Sequence, residues 1–111
     1  MLTIDIVTLF PEMFAAITEY GITSRACREG IVSLHCWNPR DFTHDRHRTV
    51  DDAPYGGGPG MVMKPDPFFE AVDALVVRGK GPIVLLSPRG RTFRHAVAVR
   101  FAAESAVTFL C

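Results

Sequence analysis

The sequence has no C-x-x-C pair. Its three cysteines, Cys27, Cys36 and Cys111, are an odd number that no complete disulfide framework accommodates, and buried reduced thiols are the expected state. No apolar run approaches the ~18 to 20 residues of a membrane span. Met1 leads directly into Leu2-Thr3-Ile4-Asp5 without a basic leader, so a cytoplasmic chain with no membrane partner is expected. Net charge is absent as well: 12 Lys/Arg face 12 Asp/Glu, which removes any overall bias toward polyanions. The polar, aromatic-poor composition of a disordered chain is missing too, since 48% of residues are hydrophobic and 10% aromatic. What these absences leave is one small globular domain spanning residues 1–111.

Acid is scarce in one place only. Residues 1–77 carry eleven Asp/Glu against six Lys/Arg, whereas residues 78–111 carry six Lys/Arg against one acid, Glu104. The basic charge gathers at Arg78, Lys80, Arg89, Arg91, Arg94 and Arg100.

Leu2, Ile4 and Ile6 alternate with Thr3, Asp5 and Val7, a period-2 strand running toward Phe10. Pro11 then suits a first helical turn, and Met13, Phe14, Ile17 and Tyr20 recur at helical spacing up to Gly21. A short helix capped by Thr23 or Ser24 is expected up to Gly30, followed by a strand over 31–37 that Asn38-Pro39 ends. Asp66 as cap and Pro67 in the first turn open a helix carrying Phe69, Val72, Leu75 and Val76, closed by Gly79. The continuous run Pro82-Ile83-Val84-Leu85-Leu86 has the form of a central strand covered on both faces. A helix over 92–105 and a strand over 106–111 complete the chain. Alternating strands and helices predict an α/β fold with a mainly parallel sheet and flanking helices. Because the last strand ends on Phe109-Leu110-Cys111 with no polar tail, the chain reads as the N-terminal piece of something longer; the alternative is a terminal strand that simply ends the protein.

Three segments could carry chemistry. From Asn38 to about Pro65 no periodicity is sustained, and compact domains seldom keep more than ~12 to 15 structureless residues unless they bind something. Within it, the stretch from Asp41 to Asp52 holds His44 and His47 among four carboxylates, the residue types of a metal site. Arg46 and Arg48 put positive charge among those ligands, which favours an RNA- or partner-facing loop or a structural salt-bridge loop, with no metal. The cluster Tyr55-Gly56-Gly57-Gly58-Pro59-Gly60 lets backbone approach a ligand closely. It is not a Walker loop, since Lys64 stands between Met63 and Pro65, nor a dinucleotide fingerprint, since Met61 takes the place of the last glycine. Finally, Ser87-Pro88-Arg89-Gly90-Arg91 comes directly after an apolar strand, at the edge where open α/β sheets bind ligands. His35 and His95, without partners, are assigned to packing or surface.

Taken together, the stretch from Pro39 to Asp52, the segment Pro54-Tyr55-Gly56-Gly57-Gly58-Pro59-Gly60-Met61, Leu9-Phe10-Pro11-Glu12-Met13-Phe14 and Leu86-Ser87-Pro88-Arg89-Gly90 resemble the bacterial tRNA (guanine-N1)-methyltransferase family over about the first half of a family member. The resemblance implies the N-terminal part of a SPOUT methyltransferase domain, a trefoil-knot fold whose knot is incomplete in this chain. It also implies a homodimer that uses S-adenosylmethionine to methylate N1 of the tRNA guanosine 3′ of the anticodon. Carried over by position, Leu85, Leu86, Ser87 and Pro88 form the first wall of the S-adenosylmethionine pocket, Leu85 standing where other members can carry an aromatic residue. His47, Asp51, Pro59 and Gly60 face the anticodon guanosines across the dimer interface. The family's catalytic aspartate, its assisting arginine and the helical C-terminal domain would lie past Cys111, so the resemblance places no catalytic residue in this chain and implies an inactive fragment. Asp51 and Asp52 are accordingly read as facing RNA, and not as the base. The competing readings are a non-catalytic RNA-binding or dimerisation module and a metal-dependent phosphoesterase built on the 41–52 loop.

Overall fold

The computed structural model describes residues 1–76 and 81–111. The expected helix stop at Gly79 and the charges of Arg78 and Lys80 lie outside the described residues. Four parallel strands form the sheet in the order β2-β1-β6-β5: β1 (Leu2–Val7), β2 (Val32–Trp37), β5 (Ile83–Leu85) and β6 (Ala106–Leu110). The mainly parallel α/β fold expected from the sequence is the one observed. β1 pairs with β2 from Leu2↔Val32 to Val7↔Trp37 and with β6 from Thr3↔Ala106 to Val7↔Leu110. Because β1 lies inside the sheet, the alternation seen in its sequence does not separate a wet face from a dry one. Asp5, Ile6 and Val7 are all buried. The buried Asp5 carboxylate accepts a 2.9 Å hydrogen bond from the Trp37 indole Nε1, a side chain of the adjacent strand.

The first helical stretch is broken. A 3₁₀ turn over Pro11–Phe14 passes into α1 (Ala15–Thr18), and α2 (Gly21–Arg28) already starts at Gly21, ahead of the expected caps. Thr23 instead donates its hydroxyl to the Ile17 carbonyl at 2.6 Å, tying α2 back to α1. The Met13, Ile17 and Tyr20 positions are exposed, so helical spacing there marks a surface stripe and not a core face. Likewise α3 (Pro65–Val76) starts two residues early, which places Asp66 in the first turn and not at the cap. Its core face is Ala71 and Leu75 with Phe68, packed on Val7, Trp37, Phe42 and Leu110, whereas Phe69 and Val76 point outward. The last helix, α4 (His95–Ala102), is shorter than expected.

The long loop is not structureless. A 3₁₀ turn over Pro39–Phe42, capped by the Asn38 side chain, is followed by a two-residue antiparallel pair, β3 (Asp51–Asp52) with β4 (Val62–Met63). Two-residue strands are too short to show a period. Cysteine burial is also less complete than expected: Cys27 and Cys36 are half-buried and Cys111 is exposed, all three as free thiols.

The largest correction concerns β5. It is an edge strand of three residues with Ile83 and Leu85 exposed, not a central strand covered on both faces. An apolar run reports that a strand favours cover, and among the described residues β5 has β6 as its one neighbouring strand. The approach to β5 is nonetheless tight. A Cβ at Gly81 would overlap the Ala106 carbonyl, while one at Gly90 meets only the Ser87 carbonyl at 3.4 Å. Gly81→Ala should therefore lower stability by about 1–3 kcal/mol, as for an overpacked site. Gly90→Ala should stay within about 1 kcal/mol of the parent. Urea midpoints of the two variants check the contrast.

Candidate cofactor and RNA site

All four sheet strands run the same way, so their carboxyl ends share one edge. Leu86-Ser87-Pro88 leaves β5 there and Cys111 leaves β6. The Leu86 N–H donates to the Leu110 carbonyl at 3.1 Å, which fixes the start of the turn on the neighbouring strand. Ser87 holds the turn itself: its carbonyl accepts from the Gly90 N–H at 3.2 Å and its hydroxyl from the Arg89 N–H at 3.1 Å. Pro88 fixes φ inside that turn. The Ser87 N–H makes no hydrogen bond among the described residues, leaving a backbone donor at the strand end.

A cleft of about 500 Å³ opens beside this turn between Leu85, Leu86, Leu110 and Cys111 on one side and Met63, Phe68, Phe69 and Val72 on the other. Of the four residues expected to wall a cofactor pocket, the cleft thus takes in Leu85 and Leu86; Ser87 and Pro88 are exposed at the same strand end. Met63, Phe69 and Val72 are cleft residues that sequence reasoning missed as such. The signal was present in α3, which carries two apolar faces where one core needs a single face.

The four RNA-facing candidates lie in the loop that leads into Met63. Asp51 is half-buried and pairs with Met63 across the β3–β4 hairpin, so this candidate is joined by backbone to the cleft wall. His47, Pro59 and Gly60 are exposed and are not in the cleft. Gly60 has φ of +84° and no neighbouring atom within 4 Å of a built Cβ. Its glycine requirement within this chain is therefore one of backbone conformation.

The charges of the 41–52 loop mostly satisfy one another. Arg48, itself in the left-handed region at φ 52°, bonds the Asp41 carboxylate, and Arg40 donates to the Arg48 carbonyl at 3.0 Å. His44 Nε2 lies 2.9 Å from the Glu70 carboxylate of α3. Asp45 accepts the Thr49 hydroxyl at 2.6 Å and the Thr49 N–H at 3.0 Å. Arg46 and His47 have no such partner among the described residues. The loop is thus a salt-bridged scaffold that leaves these two side chains outward. Among the described residues no three His, Cys, Asp or Glu side chains come together in a way that could hold a metal ion. Desolvation pushes the Cys36 thiol up, with the Cys111 charge adding to it, and desolvation by neighbouring atoms also raises Cys111 although its surface is exposed. Asp52 accepts the neighbouring Ala53 N–H at 2.8 Å. The strand-end turn and the cleft beside it thus set a backbone donor against an apolar wall.

Comparison with known proteins fits this arrangement. The family model described as tRNA (Guanine-1)-methyltransferase TrmD matches residues 2–111. The chain belongs to this family. It is 53% identical over 110 residues to a tRNA (guanine-N(1)-)-methyltransferase of Serratia marcescens, covering 97% of this chain and 43% of that protein. With the protein of the same name from Pseudomonas fluorescens it shares 52% over 111 residues, covering 98% and 44%. The crystal structure of the tRNA (m1G37) methyltransferase from Aquifex aeolicus superposes with a TM-score of 0.88 at 32% identity, covering 99% of this chain and 50% of that one. The chain thus spans under half the length of these curated relatives. No helix among the described residues is long and apolar enough to cross a membrane.

The Asp45–Thr49 contact makes a testable statement about the loop. The Thr49 hydroxyl hydrogen bond, ahead of weaker contributions, holds the Asp45 carboxyl below the usual carboxylate range. A depressed folded value means that this contribution is present above the unfolded value near ~3.9 and is lost as pH falls through the folded one. In Thr49→Val the Asp45 titration midpoint, read by NMR, should move up toward the ordinary carboxylate value. It should stop short of it, because the Thr49 backbone N–H still donates.

Proposed function

We propose that this chain is the N-terminal part of the SPOUT domain of a tRNA (guanine-N1)-methyltransferase. The whole protein would transfer the methyl group of S-adenosylmethionine to N1 of the guanosine 3′ of the anticodon, acting in the cytoplasm as a homodimer. The observation that carries this reading is the family match across residues 2–111, with the Leu86-Ser87 turn at the shared carboxyl edge of the sheet. Exposed apolar residues on the first helical stretch, Met13 and Tyr20 among them, suit a part that is covered by further chain or by a second copy.

The residues present fit an adenosyl group. The Ser87 N–H, unpaired among the described residues, offers a donor to a ring nitrogen of a purine, and Leu85 and Leu86 supply apolar contact with Pro88 beside them in the turn. When bound, S-adenosylmethionine supplies an electrophilic methyl on a sulfonium. Ser87 and Pro88 would hold the purine end through backbone and a rigid turn. His47, Asp51, Pro59 and Gly60 would position the guanosine from the partner protomer. The N1 proton must leave for the transfer to occur, and a positioned base is required. We assign that base to the part of the family beyond residue 111, since Asp52 is engaged with backbone and Asp51 sits in the hairpin.

The full-length protein should form N1-methylguanosine from labelled S-adenosylmethionine and unmodified tRNA, and the 111-residue chain alone should form none. Absence of product with the full-length protein would overturn the reading. In that protein Ser87→Ala should cost about 1 kcal/mol or less of cofactor affinity, the value of one neutral hydrogen bond. Pro88→Gly should cost more, because a freed φ must be ordered on binding. Gly60→Val should weaken tRNA binding while calorimetry finds S-adenosylmethionine affinity unchanged.

A further inference from the structure

The arginines of the two parts of the chain are used differently. Before residue 77 four of five side chains are engaged internally: Arg25 with Glu29 at 2.9 Å, Arg28 with the Ser24 hydroxyl at 3.0 Å, Arg40 with the Arg48 carbonyl at 3.0 Å, and Arg48 with Asp41. After residue 81 the pattern reverses. Arg89, Arg91, Arg94 and Arg100 are exposed, and none has an ion pair or side-chain hydrogen bond among the described residues. The one acid of this part, Glu104, shares a groove with Arg91 and Arg100 without reaching an ion pair with either. Four uncompensated guanidiniums on one loop and the helix after it repel one another, and a bound polyanion would relieve that repulsion.

The groove adds a second feature. It has a volume of about 590 Å³ between β5 and α4 and is lined by apolar strand residues, by Arg91 and Arg100, and by Phe93. The Phe93 ring is 65% exposed and lies 6.3 Å from that of Phe101. An exposed ring set among arginines suits a strand that has both phosphates and unpaired bases.

We propose that Arg89, Arg91, Arg94 and Arg100, with Phe93, form a contact surface for the sugar-phosphate backbone of RNA, separate from the loop that faces the target guanosine. The choice of RNA rests on the methyltransferase reading above. Guanidinium forks bind phosphate oxygens in pairs, and Phe93 takes the face of an unpaired base. Such contacts position the substrate without reading its sequence.

The test uses the full-length protein carrying this chain, with fluorescent tRNA and with an oligouridylate that has no guanosine. The wild type, the double variant Arg91→Ala/Arg94→Ala and the charge-keeping Arg91→Lys/Arg94→Lys are titrated across a salt series, with S-adenosylmethionine binding followed by calorimetry. The alanine pair should flatten the slope of log affinity against log salt by up to about two units on tRNA and by about 1.4 on the single-stranded oligouridylate, the values for two lost phosphate contacts. The lysine pair should keep the slope, and cofactor affinity should hold in all three proteins. Phe93→Ala should weaken oligouridylate binding at every salt concentration without changing the slope. An unchanged slope in the alanine pair overturns the proposal, as does arginine-dependent binding to phosphatidylserine vesicles without binding to either RNA. If oligouridylate binding depends on the arginines while no methylguanosine forms on tRNA, the surface stands and the methyltransferase reading falls.

Discussion

Parallel pairing of β1 with both of its neighbours is the constraint on which the rest of the structure depends. Parallel strands cannot be joined by a tight turn, so each return to the sheet needs a crossover, and every carboxyl end is brought to one edge. With the order β2-β1-β6-β5, the chain leaves β2 at one side of the sheet and re-enters at β5 on the other. The segment that makes this passage contains the β3–β4 hairpin and α3. The candidate RNA loop and the candidate cofactor turn therefore meet at Met63, Leu85 and Leu86 as a result of topology. No attraction between the two segments is needed to explain it.

The buried Asp5–Trp37 bond belongs to the same constraint. A carboxylate in the middle of an interior strand is tolerated because the indole of the next strand reaches it at 2.9 Å. A one-residue slip between β1 and β2 would move that carboxylate to the other face and leave it without the indole. The pair thus specifies register between two strands whose apolar residues alone do so weakly.

Much of this is legible in the sequence, and the failures share a cause. β1, β2, β6 and α3 show themselves because each is long enough for its period to emerge. The 3₁₀ turn over Pro11–Phe14 looks in sequence like the start of a longer helix, since spacings of three and four residues occur in both. In α3 the periodicity locates the helix but selects Phe69 and Val76 for the core where Phe68 and Ala71 serve, because a helix with two apolar faces gives two consistent answers. For β5 the pattern is right about chemistry and wrong about place: apolar residues need cover, and only the sheet order tells whether that cover is present. At the candidate site, resemblance singles out Leu85 to Pro88 and the loop, while the wall of the cleft at Met63 and Phe69 needs three-dimensional proximity to be seen.

Val50 gives the long loop a property that its length conceals. Its side chain is fully buried and its carbonyl accepts the Lys64 N–H at 2.7 Å. The segment between Phe42 and Pro65 is consequently pinned near its middle and behaves as two short circuits joined at one post. Because closure entropy depends only on the logarithm of loop length, at about 0.6 kcal/mol per doubling, residues added beyond the post in the glycine cluster would hardly disturb the salt-bridged arc before it. The two arcs are free to drift in length independently through descent, one keeping its scaffold while the other changes its reach.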